Sequence, residues 1–503
     1  MAKTKRTGPR LKHEVAAAGS PATRAGKATR IERATVRATS ATGSGPSRDS
    51  RLSIRWRAVY AAVPPLLAFA ASFNTLFNQF ASDDTKQVLG NTFIRHIGNL
   101  PLAFSTSVWS YVTEDIAGMS QPYFRPMFSV LFTLTYTLFG TNAWGWHLVN
   151  VLIHTGVTLL VFLNIKELSS RNRLALITAS LFAVHPAHAE SVAWISGVTD
   201  PLMSLFLLGS LLVYLRYQRR RGMLFIVPVL FLYFLGLLTK ETAIALPIIV
   251  VYLEITDETT GRTFWERIRR SAVNAGFFLI PTAGYLLMRQ SVMGSLLFAR
   301  SGARYPIGPS LITVPLATVT YLKLLLLPVG YSYQHYTPLI GTITSARFLV
   351  PLAALTVLAG LILATKSRLV WFGAIWFIAT LGPALAAIPN FDPEYVVQER
   401  YLYLPSIGFC LVLAICIDWL ATKLKSKFLS LVSPLAAALL IVLFGAAYVR
   451  QNRVWNDTTS LLENCVAVAP DLAAAHAGLG GVLFQNGRRD LAEAESRKAL
   501  ELD

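Results

Sequence analysis

Residues 348–364 read FLVPLAALTVLAGLILA, a run of 17 residues without a charge. A helix rises about 1.5 Å per residue, so this run approaches the thickness of the hydrocarbon core of a bilayer. Runs of 17 to 22 apolar residues recur along the chain, which is 53% hydrophobic and 15% charged. A soluble protein would carry about 25% charged residues. The sequence therefore predicts an all-α protein that crosses a membrane many times.

We predict about 11 membrane-spanning helices and derive their orientation from the positions of Lys and Arg. Such residues mark the cytoplasmic ends of membrane helices, and they cluster before the first predicted span and after every second one. The N-terminus is therefore predicted to be cytoplasmic and the C-terminus to lie outside. The predicted spans are 58–77, 147–165, 172–187, 200–217, 223–239, 242–254, 272–289, 347–364, 369–389, 402–421 and 429–448.

Two further apolar stretches, 125–140 and 312–328, are not counted as spans. Counting either one alone would invert the charge pattern downstream, so we expect both to lie along the outer membrane surface or to re-enter it. The outside segment 290–346 then carries three cations, Arg300, Arg304 and Lys323, and no acid. Either the topology differs there, or these cations meet a phosphate.

The N-terminal residues 1–57 carry 14 Lys/Arg and 3 Asp/Glu and few large apolar side chains. This composition predicts disorder. Nucleic-acid binding and an organelle transit peptide are the alternative interpretations. A cytoplasmic tail that contacts anionic lipid is favoured, and we expect no nucleic-acid partner.

The membrane domain is predicted to cover 58–449, with a first outside loop at 78–146, and the composition of 450–503 is that of a soluble helical segment. Residues 470–503 resemble one tetratricopeptide repeat of 34 residues, with Gly487 at its turn. A lone repeat cannot bury its apolar face. We expect it to dock on the membrane domain, pair with another chain or continue in further repeats, either as an acceptor-docking module or as a structural cap.

Charged residues beside membrane helices are candidates for function because they are costly to place there. Asp83 and Asp84 come just after the first predicted span, on the outside. One charge of an adjacent acid pair raises the proton affinity of the other, which suits a general base. A solvated helix cap is the plain structural alternative. Arg125, at the start of an interfacial stretch, suits a phosphate through its planar set of donors.

The second outside loop, 185–200, reads HPAHAESVAWISGVTD and contains no cation. His185, His188 and Glu190 have the side chains of a metal site, but Pro186 interrupts the helix that this spacing would need. We therefore favour hydrogen bonds from these residues and Asp200 to sugar hydroxyls, leaving a divalent metal as an open alternative.

Two charged dipeptides flank later spans, Lys240-Glu241 and Glu399-Arg400, and a local ion pair is the structural alternative for each. His147, Asn150 and His154 share one helix face, where we predict polar packing between helices rather than catalysis. Acids, histidines and cations thus gather at outside helix ends. This arrangement suits attack of an acceptor hydroxyl on a sugar carried by a lipid phosphate, with cations stabilising the leaving phosphate.

Several stretches resemble the transmembrane-and-tetratricopeptide-repeat-containing (TMTC) O-mannosyltransferases of the GT-C glycosyltransferase superfamily. They follow in the same order from about residue 58 to the end of the chain. The stretches are SDDTKQVLGN (82–91), SQPYFRPMFSVLFTLTYTLFG (120–140), WGWHLVNVLIH (144–154), HPAHAESVAWISGVTD (185–200), LLTKETAIALP (237–247) and QERYLYLPSIGFCLVLA (398–414).

The resemblance implies a GT-C-type fold, a catalytic acid pair at Asp83 and Asp84, and a polyprenyl-phosphate sugar donor, with mannose the expected sugar. It also implies an interfacial position for 125–140 and a protein Ser/Thr acceptor, although the short repeat segment differs from the family's longer arrays. The membrane would be a bacterial inner membrane or the endoplasmic reticulum. The donor- or acceptor-binding candidates are Arg125, His185, His188, Glu190, Asp200, Lys240, Glu241, Glu399 and Arg400.

Two other functions stay open at this stage. One is a polymerase or ligase that builds a surface glycan, with the repeat segment binding another subunit. The other is a non-catalytic transporter of lipid-linked sugars, for which acids midway through helices and Gly/Pro-broken helix pairs in matching halves are expected. The acids of this sequence fall at predicted helix ends instead.

Overall fold

The structure is a computed structural model that describes residues 48–111, 123–220, 226–258, 261–296, 305–423 and 427–502. Most of the predicted basic tail (1–47) lies outside these residues, as do Arg300 and Arg304. The regular elements of the described residues are helices, joined by turns and one isolated β-bridge between His335 and Val397. The all-α prediction is confirmed.

The described residues contain 17 α-helices, of which the first two are separated by the long segment 73–125. They are α1 (Arg48–Ser72), α2 (Pro126–Phe139), α3 (Ala143–Ser169), α4 (Asn172–Ala183), α5 (Ala189–Val192), α6 (Thr199–Arg220), α7 (Ile226–Leu237), α8 (Leu246–Ile255), α9 (Phe264–Met293), α10 (Ile307–Leu326), α11 (Ala346–Ala364), α12 (Arg368–Ala386), α13 (Ser406–Lys423), α14 (Lys427–Val454), α15 (Thr458–Val468), α16 (Ala473–Gln485) and α17 (Arg489–Leu502).

Eight helical segments of the described residues are long and apolar enough to cross a membrane. Seven of them coincide with predicted spans, whereas the predicted spans at 172–187, 223–239, 242–254 and 402–421 fall on shorter helices. The eighth is α10, which was predicted to lie at the surface. A multi-pass membrane protein is confirmed, and the number 11 stays a prediction.

Helix burial separates a central helix from peripheral ones. In the segment Ile195–Arg216, which contains most of α6, 78% of the apolar window is buried, against 6% in α11. The helix face that carries His147, Asn150 and His154 is buried and makes polar contacts with neighbouring elements, as predicted. The amide of Asn150 donates to the carbonyl of Trp194 at 3.1 Å, and a ring nitrogen of His154 lies 2.8 Å from the hydroxyl of Tyr403.

Helix α10 contacts the segment 388–402 near both of its ends. Just before the helix, Tyr305 donates its backbone N–H to the carbonyl of Pro389 at 3.0 Å. Near its C-terminal end, the hydroxyl of Tyr321 accepts from the backbone of Gln398 at 3.2 Å. Both ends therefore meet the same connection between α12 and α13, and the expected position of this stretch along the membrane surface, or re-entering it, stays a prediction.

The first helix is longer than predicted, and the C-terminal segment that follows the membrane domain packs against it. Helix α1 begins at Arg48, ahead of the predicted start of the first span at 58. After α14, the C-terminal segment docks on the membrane domain, where the amide of Asn464 donates to the carbonyl of Tyr331 at 3.0 Å. Helices α16 and α17 form a hairpin with Gly487 at its turn (φ 76°), and its assignment as a tetratricopeptide repeat stays a prediction.

Candidate active site

The acid pair lies in a tight turn that follows α1 and a short 3-10 helix at Phe73–Phe77. The backbone N–H of Asp84 donates to the carbonyl of Ala81 at 3.1 Å, which closes the turn. Ser82, its second residue, has a φ of 55°, in the left-handed region that a serine seldom adopts. This conformation places the half-buried carboxylate of Asp83 at the wall of a cavity.

Asp84 points the other way and is fully buried. Its Oδ1 accepts from the backbone N–H of Ser196 at 2.8 Å and from the Ser196 hydroxyl at 2.6 Å. Its Oδ2 accepts from the backbone N–H of Ala81 at 3.2 Å. The two predicted catalytic acids thus occupy different environments: Asp83 faces the cavity, and Asp84 ties the turn to the loop that precedes α6.

The cavity has a volume of about 230 Å³ and collects residues from distant parts of the chain. Candidates that line it are Asp83, Arg125, Lys240 and Arg400. The other lining residues are Lys86, Gln87, Val108, Trp109, Tyr123, Phe128, Trp194, Ser196, Thr199 and Tyr401. Four cations, one carboxylate and several aromatic rings therefore surround a space of the size of a small polar group.

Three of these cations are paired with the predicted acids. Lys240 Nζ lies 2.7 Å from each carboxylate oxygen of Asp200, and Arg125 Nη2 lies 3.3 Å from Glu241 Oε1. The guanidinium of Arg400 donates to Oε1 of Glu190, and its backbone N–H donates to Oε2 at 2.8 Å. The acids hold the cations in place, since a buried charge requires a partner.

These ion pairs do not form within the dipeptides Lys240-Glu241 and Glu399-Arg400, which was the structural alternative in the sequence analysis. Lys240 and Glu241 each pair with a residue from another element, and so does Arg400. Glu399 pairs with His335 at 2.9 Å and accepts from the backbone N–H of Ser332 at 2.6 Å, behind the cavity rather than in it. Burial raises the pKa of Glu399 to about 7, and the hydrogen bond from His335 lowers it.

An aromatic ring lies beside each paired cation. The guanidinium of Arg125 is 4.4 Å from the ring centre of Tyr123, and Lys240 Nζ is 4.8 Å from that of Tyr401. The guanidinium of Arg400 lies 5.3 Å from the ring of Trp194. Such contacts stabilise a partly desolvated cation and fix its orientation.

Burial governs the protonation of the acid pair more than the neighbouring charge does. It raises the pKa of Asp83, while the positive charges of Arg400 and Lys86 lower it. Burial also raises the pKa of Asp84 to about 7, against the hydrogen bonds from Ser196 and Ala81 that lower it, and the charge of Asp83 adds the smallest contribution. A carboxylate of raised pKa is a stronger general base than an exposed one.

His185 and His188 lie outside the cavity, in the core. Nε2 of His185 is 3.1 Å from the carbonyl of Leu325, and Nε2 of His188 is 2.9 Å from the hydroxyl of Ser406. Both rings make packing contacts in the core, and neither residue lines the cavity.

Ten of the cavity residues were not among the candidates, and four of these ten bring a charge or an aromatic ring beside a candidate. Lys86 follows the acid pair within the quoted stretch 82–91, and Tyr123, Trp194 and Tyr401 lie within three others. Each is one to four residues from a candidate in the sequence. Proximity to a charged candidate is therefore the available signal, since aromatic residues by themselves are common at the ends of membrane helices.

The fold and this cavity define a multi-pass helical membrane protein with a polar site at its helix ends. A family model described as dolichyl-phosphate-mannose-protein mannosyltransferase matches residues 120–287. The chain is 28% identical over 519 residues to the Homo sapiens protein O-mannosyl-transferase TMTC1, covering 92% of this chain and 58% of that one. It is 27% identical over 444 residues to a Caenorhabditis elegans protein O-mannosyl-transferase, covering 87% and 62%.

The chain is thus a relative of the TMTC protein O-mannosyl-transferases, which confirms the resemblance in its sequence. It spans about three fifths of the length of these relatives. Solved structures with some similarity include an Archaeoglobus fulgidus oligosaccharyltransferase tethered with an acceptor peptide (TM-score 0.46, 14% identity, 79% of this chain and 55% of that one). Another is ArnT from Cupriavidus metallidurans bound to undecaprenyl phosphate (TM-score 0.41, 15% identity, 83% and 80%).

Proposed function

We propose that this protein is a glycosyltransferase that moves a sugar from a polyprenyl-phosphate donor to an acceptor hydroxyl on the non-cytosolic face of the membrane. The names of its relatives favour mannose as the sugar and a protein as the acceptor. One observation carries the proposal: the Asp83 carboxylate shares a cavity of about 230 Å³ with Lys86, Arg125, Lys240 and Arg400. A base beside a group of cations is what transfer from a phosphate leaving group requires.

In the proposed reaction, Asp83 accepts the proton of the acceptor hydroxyl. The hydroxyl oxygen forms a bond to the anomeric carbon of the sugar while the bond from that carbon to the phosphate oxygen breaks. The lipid phosphate leaves with the bonding electron pair. The cations stabilise the negative charge that develops on it, and they do so strongly because the cavity is partly shielded from water.

The cations are suited to different parts of this task. Lys240, Arg125 and Arg400 are fixed by their acids and aromatic rings, so they provide a preorganised surface rather than mobile counterions. Lys86 lines the cavity, and none of the described acids lies within ion-pair distance of it. We assign Lys86 to contact with the donor phosphate, where its charge would complement that of the ligand.

The test is transfer of radiolabelled sugar by the purified protein in lipid nanodiscs, with several polyprenyl-phosphate sugars as donors. Peptides with Ser and Thr and a glycan acceptor are compared, which separates a protein transferase from a glycan polymerase. Arms with EDTA or added Mn²⁺ test the divalent metal that the sequence left open.

In this assay, we expect Asp83→Asn to lower the transfer rate at least 100-fold, because a general base contributes about 10²–10⁴-fold. The matched control is Asp490→Asn, on an exposed residue of α17, which should leave the rate unchanged. Full transfer by Asp83→Asn in correctly folded protein would show that Asp83 is not the base. Transport of the donor without transfer would favour the transporter instead.

A further inference from the structure

The C-terminal segment contacts the turn that carries the acid pair. The hydroxyl oxygen of Thr458, the first residue of α15, accepts from the backbone N–H of Ser82 at 2.9 Å. The backbone N–H of Gln79 donates to the carbonyl of Asn456 at 2.8 Å, and the amide of Asn78 donates to the carbonyl of Trp455 at 3.2 Å. Two segments that are more than 370 residues apart in sequence are therefore joined by main-chain and side-chain hydrogen bonds.

The contact at Thr458 falls on the strained residue of the turn. Ser82 has a φ of 55°, which costs a serine free energy that glycine would not lose. Such a conformation persists when surrounding contacts hold it. The hydrogen bond from Ser82 to Thr458 is one of these contacts, and Asp83 is the next residue in the chain.

A second contact reaches another lining residue of the cavity, Trp194. The ring of Trp455 stacks on that of Trp194 with centres 5.6 Å apart and planes 19° from parallel. Arg400 lies 5.3 Å from Trp194, which lines the cavity. The start of the C-terminal segment therefore supports both the carboxylate and a cation of the site.

We propose that Thr458 is a positioning residue, which holds Ser82 in its left-handed conformation so that Asp83 faces the cavity. The C-terminal segment is then part of the active site as well as a docking element. This inference rests on the proposed function only for its kinetic readout, since the position of Asp83 can also be measured directly.

The kinetic test compares Thr458→Val, which keeps the shape and removes the acceptor oxygen, with Thr459→Val. Thr459 is the adjacent residue and accepts from Asn486 within the C-terminal segment. We expect Thr458→Val to lower kcat roughly tenfold with little change in KM, because the geometry of the base is altered and donor contacts are not. Thr459→Val should match the parent, and Thr458→Ser, which keeps the hydroxyl, should recover most of the rate.

The decisive variant is Ser82→Gly combined with Thr458→Val. Glycine adopts a positive φ at little cost, so it should restore most of the lost kcat if Thr458 acts through the backbone of Ser82. The single Ser82→Gly variant measures the effect of losing the serine side chain. Equal rates for Thr458→Val and Thr459→Val would overturn the inference, and so would a loss that Ser82→Gly does not repair.

A labelling experiment needs no transferase activity. Asp83→Cys is made with the exposed Cys416 replaced by Ala, and the rate of modification by a charged maleimide is measured. Adding Thr458→Val should change this rate severalfold, whereas Thr459→Val should not. Failure of the parent to transfer any sugar would refute the proposed function alone, while an unchanged labelling rate would refute the positioning role alone.

Discussion

At the scale of single residues, neighbouring acids in one turn have different environments. Asp84 is enclosed and receives hydrogen bonds from Ser196 and Ala81, whereas Asp83 is half-buried beside cations. Replacing Asp84 would leave buried donors without partners, which costs about 1–3 kcal/mol each. Loss of activity on mutation of Asp84 would therefore report damage to the turn, and Asp83 is the residue whose replacement tests the chemistry.

The acid limb of the pH–rate profile should depend on Lys86. Asp83 accepts a proton only when ionised, and its pKa is raised by burial and lowered by the charges of Arg400 and Lys86. Lys86→Gln removes one of these charges, so the pKa should rise further and the acid limb of kcat/KM should move to higher pH. Lys86→Arg keeps the charge and should leave the limb in place.

The measurement is kcat/KM across the acidic range for the parent and both variants. A limb that moved to lower pH in Lys86→Gln, or that moved equally in Lys86→Arg, would contradict this assignment of the base and its neighbour.

At the scale of elements, helices α12 and α13 cross closely near the part of the cavity that Arg400 lines. A Cβ added to Gly408 would lie 2.3 Å from the carbonyl oxygen of Gly373. The indole N–H of Trp376 also donates to the carbonyl of Leu404 at 2.8 Å. Small residues permit such contact between membrane helices. The 3-10 turn Glu399–Leu402, which carries Arg400, lies just before α13, next to this crossing in the sequence.

Gly408→Ala should therefore destabilise the protein. The added methyl group must push α13 away from a backbone atom of α12, and overpacking of this kind costs about 1–3 kcal/mol. Gly360→Ala is the matched control, because no atom lies within 4 Å of a Cβ built at this position in α11. Thermal unfolding followed by size-exclusion chromatography in detergent compares the two. A midpoint for Gly408→Ala equal to that of the control would show that the crossing adapts without cost.

At the scale of the whole molecule, the C-terminal segment contacts both the acid turn and the segment that follows α10. Tyr331 after α10 receives a hydrogen bond from Asn464, and the acid turn contacts Thr458. The charge pattern predicts these contacts to lie on the non-cytosolic side. The basic residue Lys366 lies between α11 and α12, and Arg368 begins α12, at the end predicted to face the cytoplasm.

Sidedness can be tested with single cysteines introduced into a chain in which Cys416 is replaced by Ala. Ser105→Cys, at an exposed residue of the first predicted outside loop, should react with a membrane-impermeant maleimide added to the non-cytosolic side. Lys366→Cys, at an exposed residue between α11 and α12, should react only after the membrane is permeabilised. The reverse pattern would place Asp83 in the cytosol and exclude the proposed donor orientation.

The class of fold and the neighbourhood of the site follow from the amino-acid sequence alone. Apolar runs of bilayer length leave few alternatives to helices, because each backbone polar group in lipid must be paired within its own segment. The same reasoning identified Asp83, Arg125, Lys240 and Arg400, which line one cavity, because charges beside membrane helices are costly.

Which side chains face each other depends on the packing of the helices and could not be predicted from the sequence. Glu190, Asp200 and Glu241 were candidates for binding the donor or the acceptor, and in the structure they pair with Arg400, Lys240 and Arg125. Contact between Ser82 and Thr458 joins residues 376 positions apart, which no local pattern records. Helical periodicity fixes the face of a side chain within its own helix, whereas the partner across the gap depends on how all the helices pack together.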